Sequence, residues 1–196
     1  MIDYAFYQCE CVMRILRGDP SAIDDMDITT NGFWRSFEAI LLALPAMFFT
    51  WVVFSQQLLA GGVIGSTLSL MARQAGIDLL LWVLPIALLA LIMPWLGVGR
   101  NFTALIIARN WLSLIIVYLV AAMTMIDLLM APSADVFVSL LFLATLIISI
   151  WMFIRVSLAA LPANRGIAYG IVMLEVVLVF TVADLLSDAM GLTGTV

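Results

Sequence analysis

Residues 164–188 read NRGIAYGIVMLEVVLVFTVADLLSD. Past its opening arginine the segment stays apolar for about 20 residues, the length of helix that crosses a bilayer. It closes on Asp184 and Asp188, and near its middle stands a single acid, Glu175, with apolar neighbours on both sides. An ionisable group at that depth is costly enough to mark a site by default. The remaining chain is read as the bundle that has to accommodate it.

That remainder has the same character. Of 196 residues, 65% are hydrophobic and 11% charged, against roughly 45–50% apolar in a soluble domain. A soluble fold of this size has too little interior to hide so much apolar surface. The apolar runs are continuous, unlike the short alternating segments of a membrane barrel. The expected fold is therefore all-α: a polytopic helical membrane protein with about five transmembrane helices and an N-terminal amphipathic helix. Residues 1–31 read as a cytoplasmic segment and 32–196 as the membrane domain, with spans at 33–56, 77–96, 102–127, 135–155 and 166–187. Residues 57–76 read as a polar, glycine-containing connection. Gly97-Val98-Gly99-Arg100 and Ala131-Pro132-Ser133 read as short turns between antiparallel neighbours. Pro45 and Pro85 each follow a leucine inside a span and predict helix kinks. Span four, nearly free of polar groups, is expected to face lipid.

In residues 2–17 one helical stripe carries Ile2, Phe6, Cys9, Met13 and Leu16. The run is too short and too charged to span. It suits either a helix lying in the interface or one packed on the end of the bundle. Gly18 ends it, Asp19-Pro20 reads as a cap and first position of a short turn, and Thr29-Thr30-Asn31-Gly32 supplies caps before the first span. No positive stretch followed by an apolar one marks a cleavable signal peptide in residues 1–18. Cys9 and Cys11 face nearly opposite sides of a helix, which disfavours a local disulfide. They read as reduced thiols, with palmitoylation the alternative.

All eight basic residues are arginine, and the chain has no His. Lacking His removes the commonest zinc ligand and the usual general base, and a net charge of −5 argues against nucleic acid as a partner. The Asp24, Asp25 and Asp27 cluster lacks the glycine and distal glutamate of an EF-hand loop and reads as a solvated acidic turn. Neither a metal nor a cofactor is expected. With the N-terminus cytoplasmic, Arg14, Arg17, Arg35, Arg100, Arg109, Arg155 and Arg165 share that side, and Arg73 alone lies opposite. The positive-inside rule thus sets the N-terminus cytoplasmic and the C-terminus outside. The arginine-only, Ala- and Leu-rich composition points to a bacterial inner (plasma) membrane.

Gly32-Phe33-Trp34 leading into span one, Gly-Arg-Asn-Phe-Thr at 99–103, and Leu-Pro-Ala-Asn-Arg-Gly-Ile-Ala at 161–168 occur within a five-span layout with a cytoplasmic N-terminal segment. Over residues 31–187 this resembles the Yip (Ypt-interacting protein) family, bacterial type. The acidic-Leu-Tyr-Gly motif of eukaryotic members is absent, as is the proline often found in the third span. The resemblance implies a non-enzymatic integral membrane protein.

No Gly-x-Ser-x-Gly elbow, P-loop or Cys–His pair is present, so an enzyme is not expected. The buried charges say more. Arg109 in span three and Glu175 in span five enter from the same side at comparable depth, which permits an ion pair, and Glu38 of span one is placed to join them. This intramembrane charge cluster either locks the bundle or responds to protons or cations in a transport path. Gly166 and Gly170 have the spacing that lets helix backbones approach, within the chain or between chains. The expected function is a scaffold, accessory subunit or membrane organiser. A small transporter or channel component using Glu175 and Arg109 is the alternative. The expected partners are the lipid bilayer and a homo-oligomer or larger membrane complex.

Overall fold

Long apolar runs with few helix breakers fold here as helices. The computed structural model describes residues 1–130 and 135–192, Asp135 by its backbone alone, and among them there is no strand. The Ala131-Pro132-Ser133 turn lies outside the described residues. The elements in order are α1 (Ile2–Arg17), a 3-10 turn (Pro20–Ile23), α2 (Thr30–Arg35), α3 (Glu38–Ala60), α4 (Thr67–Trp95), a second 3-10 turn (Gly99–Asn101), α5 (Phe102–Leu129), α6 (Asp135–Ala160) and α7 (Arg165–Ala189).

Among the described residues, five stretches are long and apolar enough to cross a membrane: Thr30–Ala60, Thr67–Trp95, Gly99–Leu129, Val136–Ala160 and Arg165–Ala189. The chain is a multi-pass membrane protein. Its spanning helices close into a ring in which α3 packs on α5, α5 on α6, α6 on α7, α7 on α4, and α4 back on α3. The outward surface carries large apolar side chains throughout, densest on α6, where Phe137, Leu140, Leu143, Ile147 and Trp151 are all exposed. Such a surface suits lipid, not water.

Two boundaries differ from the sequence reading. The first span is broken at Ser36-Phe37 into α2 and α3, and the Ser36 hydroxyl donates to the Phe33 carbonyl at 2.7 Å across the break. The second span starts at Thr67, ten residues earlier than expected. Ser66 caps it by accepting from the Ser69 amide at 3.2 Å. Polar residues within 67–76 look like a loop, yet they form the first turns of α4. Asp78 therefore sits within the span, about 16 Å along the helix at 1.5 Å per residue, and not at its start.

The N-terminal segment belongs to the same core as the spans. α1 packs against α5 and α6, burying Ala5, Gln8, Cys11, Val12, Ile15 and Leu16. Of the two arrangements open from sequence, the structure shows a packed helix, and the apolar stripe is split: Leu16 is buried and Cys9 and Met13 are half-buried, whereas Ile2 and Phe6 are exposed. Gly18, at φ 111°, turns the chain out of α1, its amide bonding back to the Ile15 carbonyl. The acidic turn is solvent-exposed at Asp24 and Asp25, and it also ties α1 down. Asp19 and Asp25 pair with Arg14 at 2.5 and 2.7 Å, and Asp27 accepts from the Tyr4 hydroxyl at 3.2 Å. Burial, with Asp27 beside it, pushes the Tyr4 phenol up to about 12. Gly32 follows the Thr29 cap, and any Cβ there would run into the Asp27 carbonyl.

Cys11 is sealed in this interface and Cys9 is half-buried. Burial pushes the Cys9 thiol up to about 11, which makes it a poor nucleophile at neutral pH.

Candidate functional site

The site begins on α5. Arg109 lies seven residues into that helix and Glu175 ten residues into α7, rises of about 10 and 15 Å. The two helices start at the same end of the bundle but are not neighbours in the ring, so the arginine side chain has to cross its interior. Arg109 Nε donates to Glu175 Oε1 at 2.9 Å, with the two side chains only 6% and 10% exposed. Arg109 Nη1 donates to the Trp82 carbonyl at 3.3 Å, so the one guanidinium bridges α5, α7 and α4. A lone charge at bilayer depth costs about 2.5–3.5 kcal/mol or more. Pairing and hydrogen bonding reduce that cost.

The Trp82 carbonyl is available for a reason written in the sequence. Pro85 has no N–H, so the Leu81 carbonyl, next to that of Trp82, loses its helical donor. Pro45 repeats the arrangement in α3: it deprives Leu41, and the adjacent Leu42 carbonyl accepts from the Tyr118 hydroxyl at 3.0 Å. Both prolines lie inside continuous helices. In each case a side chain of α5 donates beside the gap.

A polar chain continues from Trp82. Its indole Nε1 donates to Asn110 Oδ1 at 3.0 Å, and Asn110 Nδ2 donates to the Ser36 hydroxyl at 2.9 Å. With Ser36 already donating to Phe33, hydrogen bonds run from α7 through α5 and α4 to α2. Sequence reasoning missed Trp82, Asn110 and Ser36. A neutral polar residue in an apolar run raises little signal, although Asn110 directly follows Arg109.

Asp78 forms a second centre. It accepts from Trp51 Nε1 at 2.6 Å and from Gln74 Nε2 at 3.1 Å, and no cation pairs with it among the described residues. A cavity of about 280 Å³ lies inside the ring, lined by all five spanning helices, with Asp78, Arg109, Ser113 and Thr50 as its polar walls. A second cavity, of about 300 Å³, shares Asp78, Thr50 and Val120 with the first. It extends past Gln74 and Thr124 towards Asp127, which accepts from Gln57 Nε2 at 3.1 Å near the far end of the bundle. Along α5 the lining positions 109, 113, 117, 120, 124 and 127 form one helical stripe. Its polar members were a readable signal. Glu175 lines neither cavity.

No protein-family model, no curated protein and no solved structure matches this chain.

The other expected site residues fall elsewhere. Glu38 does not join the cluster: Arg35, three residues earlier, holds it at 3.2 Å, because a partner one turn away costs less chain ordering than one across the ring. Its second oxygen is buried without a hydrogen bond. Gly166 and Gly170 are exposed, and a Cβ at either would meet nothing within 4 Å. They therefore do not bring helices together within the chain. No group of three or more His, Cys, Asp or Glu residues among the described residues is placed to hold a metal.

Proposed function

We propose that this chain is a non-enzymatic membrane protein of the Yip type that acts by interaction, as a scaffold, accessory subunit or membrane organiser. The observation that carries the reading is the sealing of Glu175. The one acid in the middle of the last span is spent on Arg109, which itself borders the first cavity, while Glu175 lines neither of the two cavities, as expected of a lock and not of a group that meets a substrate. The bilayer is its solvent, and the apolar face of α6 together with the outward Gly166 and Gly170 is free to meet another chain.

The membrane we assign is a bacterial inner membrane, with the N-terminus cytoplasmic. Seven of the eight arginines stand towards the α1 end, and Arg73 at the other end donates to the Met190 carbonyl at 2.7 Å. Mild extraction of the full chain from its native membrane is expected to retain a stoichiometric partner. A chain recovered alone under every mild detergent tried would sink the reading.

The cavities favour a second reading, a small transporter or channel component. Asp78 has neutral hydrogen-bond partners, Trp51 and Gln74, and lines both cavities. Reconstituted into sealed vesicles, the chain is expected to be tight to protons and alkali cations. A flux abolished by Asp78→Asn would reverse the order of the two readings.

A further inference from the structure

At the α1 end of the bundle a cavity of about 390 Å³ opens where α1, the first 3-10 turn, the end of α6 and the start of α7 meet. Its charged lining is Arg155 and Arg165, with Tyr169 beside them and no carboxylate. Arg14, Arg35 and Arg109 are each ion-paired, but Arg155 and Arg165 have no acidic partner among the described residues. Arg155 spends one N–H on the Ile15 carbonyl at 3.2 Å and stands 6.0 Å from the Trp151 ring centre. These contacts fix the guanidinium in the cavity wall without neutralising it. Gly18 borders the Arg155 guanidinium, and its φ of 111° is what calls for glycine there, since a Cβ would stand 3.6 Å from Arg155 Nη2, an ordinary contact.

The third wall adds to the same potential. α7 is 25 residues long and starts at Arg165, and its Asn164 cap residue makes no side-chain hydrogen bond to the helix. The first amides of α7 are left to an outside acceptor, and the positive end of the helix dipole points the same way. Two unneutralised guanidinium groups, an uncapped helix start and a tyrosine hydroxyl converge where two spanning helices end, at the level of lipid headgroups. Basic pockets between spanning helices on the cytoplasmic side take anionic headgroups.

We propose that this pocket binds the phosphodiester headgroup of an anionic membrane lipid. The phosphate meets Arg155, Arg165 and the first amides of α7, and the acyl chains run down the apolar outer surface. Such a lipid would brace α1 against the α6–α7 corner, because Ile15 and Gly18 form part of the same wall.

Native mass spectrometry of the full chain in detergent tests this, with titrations of phosphatidylglycerol, phosphatidylcholine and inorganic phosphate. The expected result is retention of one phosphatidylglycerol in preference to phosphatidylcholine. Retention should weaken about fivefold in Arg165→Gln and about thirtyfold when Arg155→Gln is added. Arg100→Gln, outside the pocket, should leave it unchanged. The Arg165 side chain makes no hydrogen bond among the described residues, so its variant keeps the test sound if the Arg155 change harms folding. Equal retention of phosphatidylcholine, or an equal loss in Arg100→Gln, would overturn the site. Displacement of the lipid by inorganic phosphate at matching concentration would overturn the lipid as its ligand.

Discussion

The two halves of α5 share one helix and a similar composition, yet they live in different surroundings. From residue 105 to 112 every side chain is buried, whereas from 115 to 129 none is. The difference lies in the number of neighbours. α1 and α2 pack on α5 in addition to α3 and α6, and in the first half Tyr4 of α1 meets Trp111 edge to face. In the enclosed half, Arg109 and Asn110 are hydrogen-bonded into a continuous network. In the open half, polar residues face cavities. Burial in a membrane protein is thus decided by how many helices surround a segment and not by how apolar it is.

The sharpest way to break this comparison is at the ion pair. Arg109→Gln strands Glu175 in the enclosed half and is expected to cost about 3–5 kcal/mol, read as loss of folded protein in a detergent melt. The Arg109→Gln/Glu175→Gln double variant should recover much of it. Single variants as stable as the parent would mean that the pair does not hold the ring. Asn110→Ala comes next, because it leaves the Trp82 indole without its acceptor and removes the donor to the Ser36 hydroxyl. We expect about 1–3 kcal/mol in the same melt. By contrast Thr124→Val, on the same helix in the open half, should fall within about 0.5 kcal/mol. A cost there equal to that of Asn110→Ala would erase the distinction between the halves.

Acid offers a smaller probe of what encloses the first half. Hydrogen bonds from Thr29 and then Tyr4 hold the Asp27 carboxyl below its ordinary range. A carboxyl lowered by folding stabilises above its unfolded value and loses that contribution as pH falls through the folded one. Amide exchange in α1 should therefore accelerate below about pH 4 before exchange in the spans does. Simultaneous acceleration in both would show that α1 is no separate lid.

Much of the architecture is legible in the residues, since five apolar runs separated by short turns leave few alternatives. The meeting of Arg109 and Glu175 is legible too, from depth and side of entry. Other features are not, for physical reasons. Asp78 reads as a boundary residue because hydropathy registers the apolar core of α4 and misses the polar turns that extend it. The buried face of α1 is misread in its first turns because periodicity picks the most apolar stripe, and next to lipid that stripe has no need to face inward. Hence Phe6 points out while Gln8 is sealed. Glu38 is misassigned because a local arginine outcompetes a distant one.

The docking of α1 also sets a timetable. In the chain 85 positions separate Arg17 from Phe102, where its main partner α5 begins, and the bond from Arg155 to the Ile15 carbonyl spans 140 positions. At about 5–20 residues per second of synthesis, α1 waits several seconds or more for its binding surface to be made. During that interval its apolar faces need another host. The membrane surface beside the translocation machinery is the nearest, so assembly should finish when α1 leaves that surface and closes over the completed α5–α6 pair.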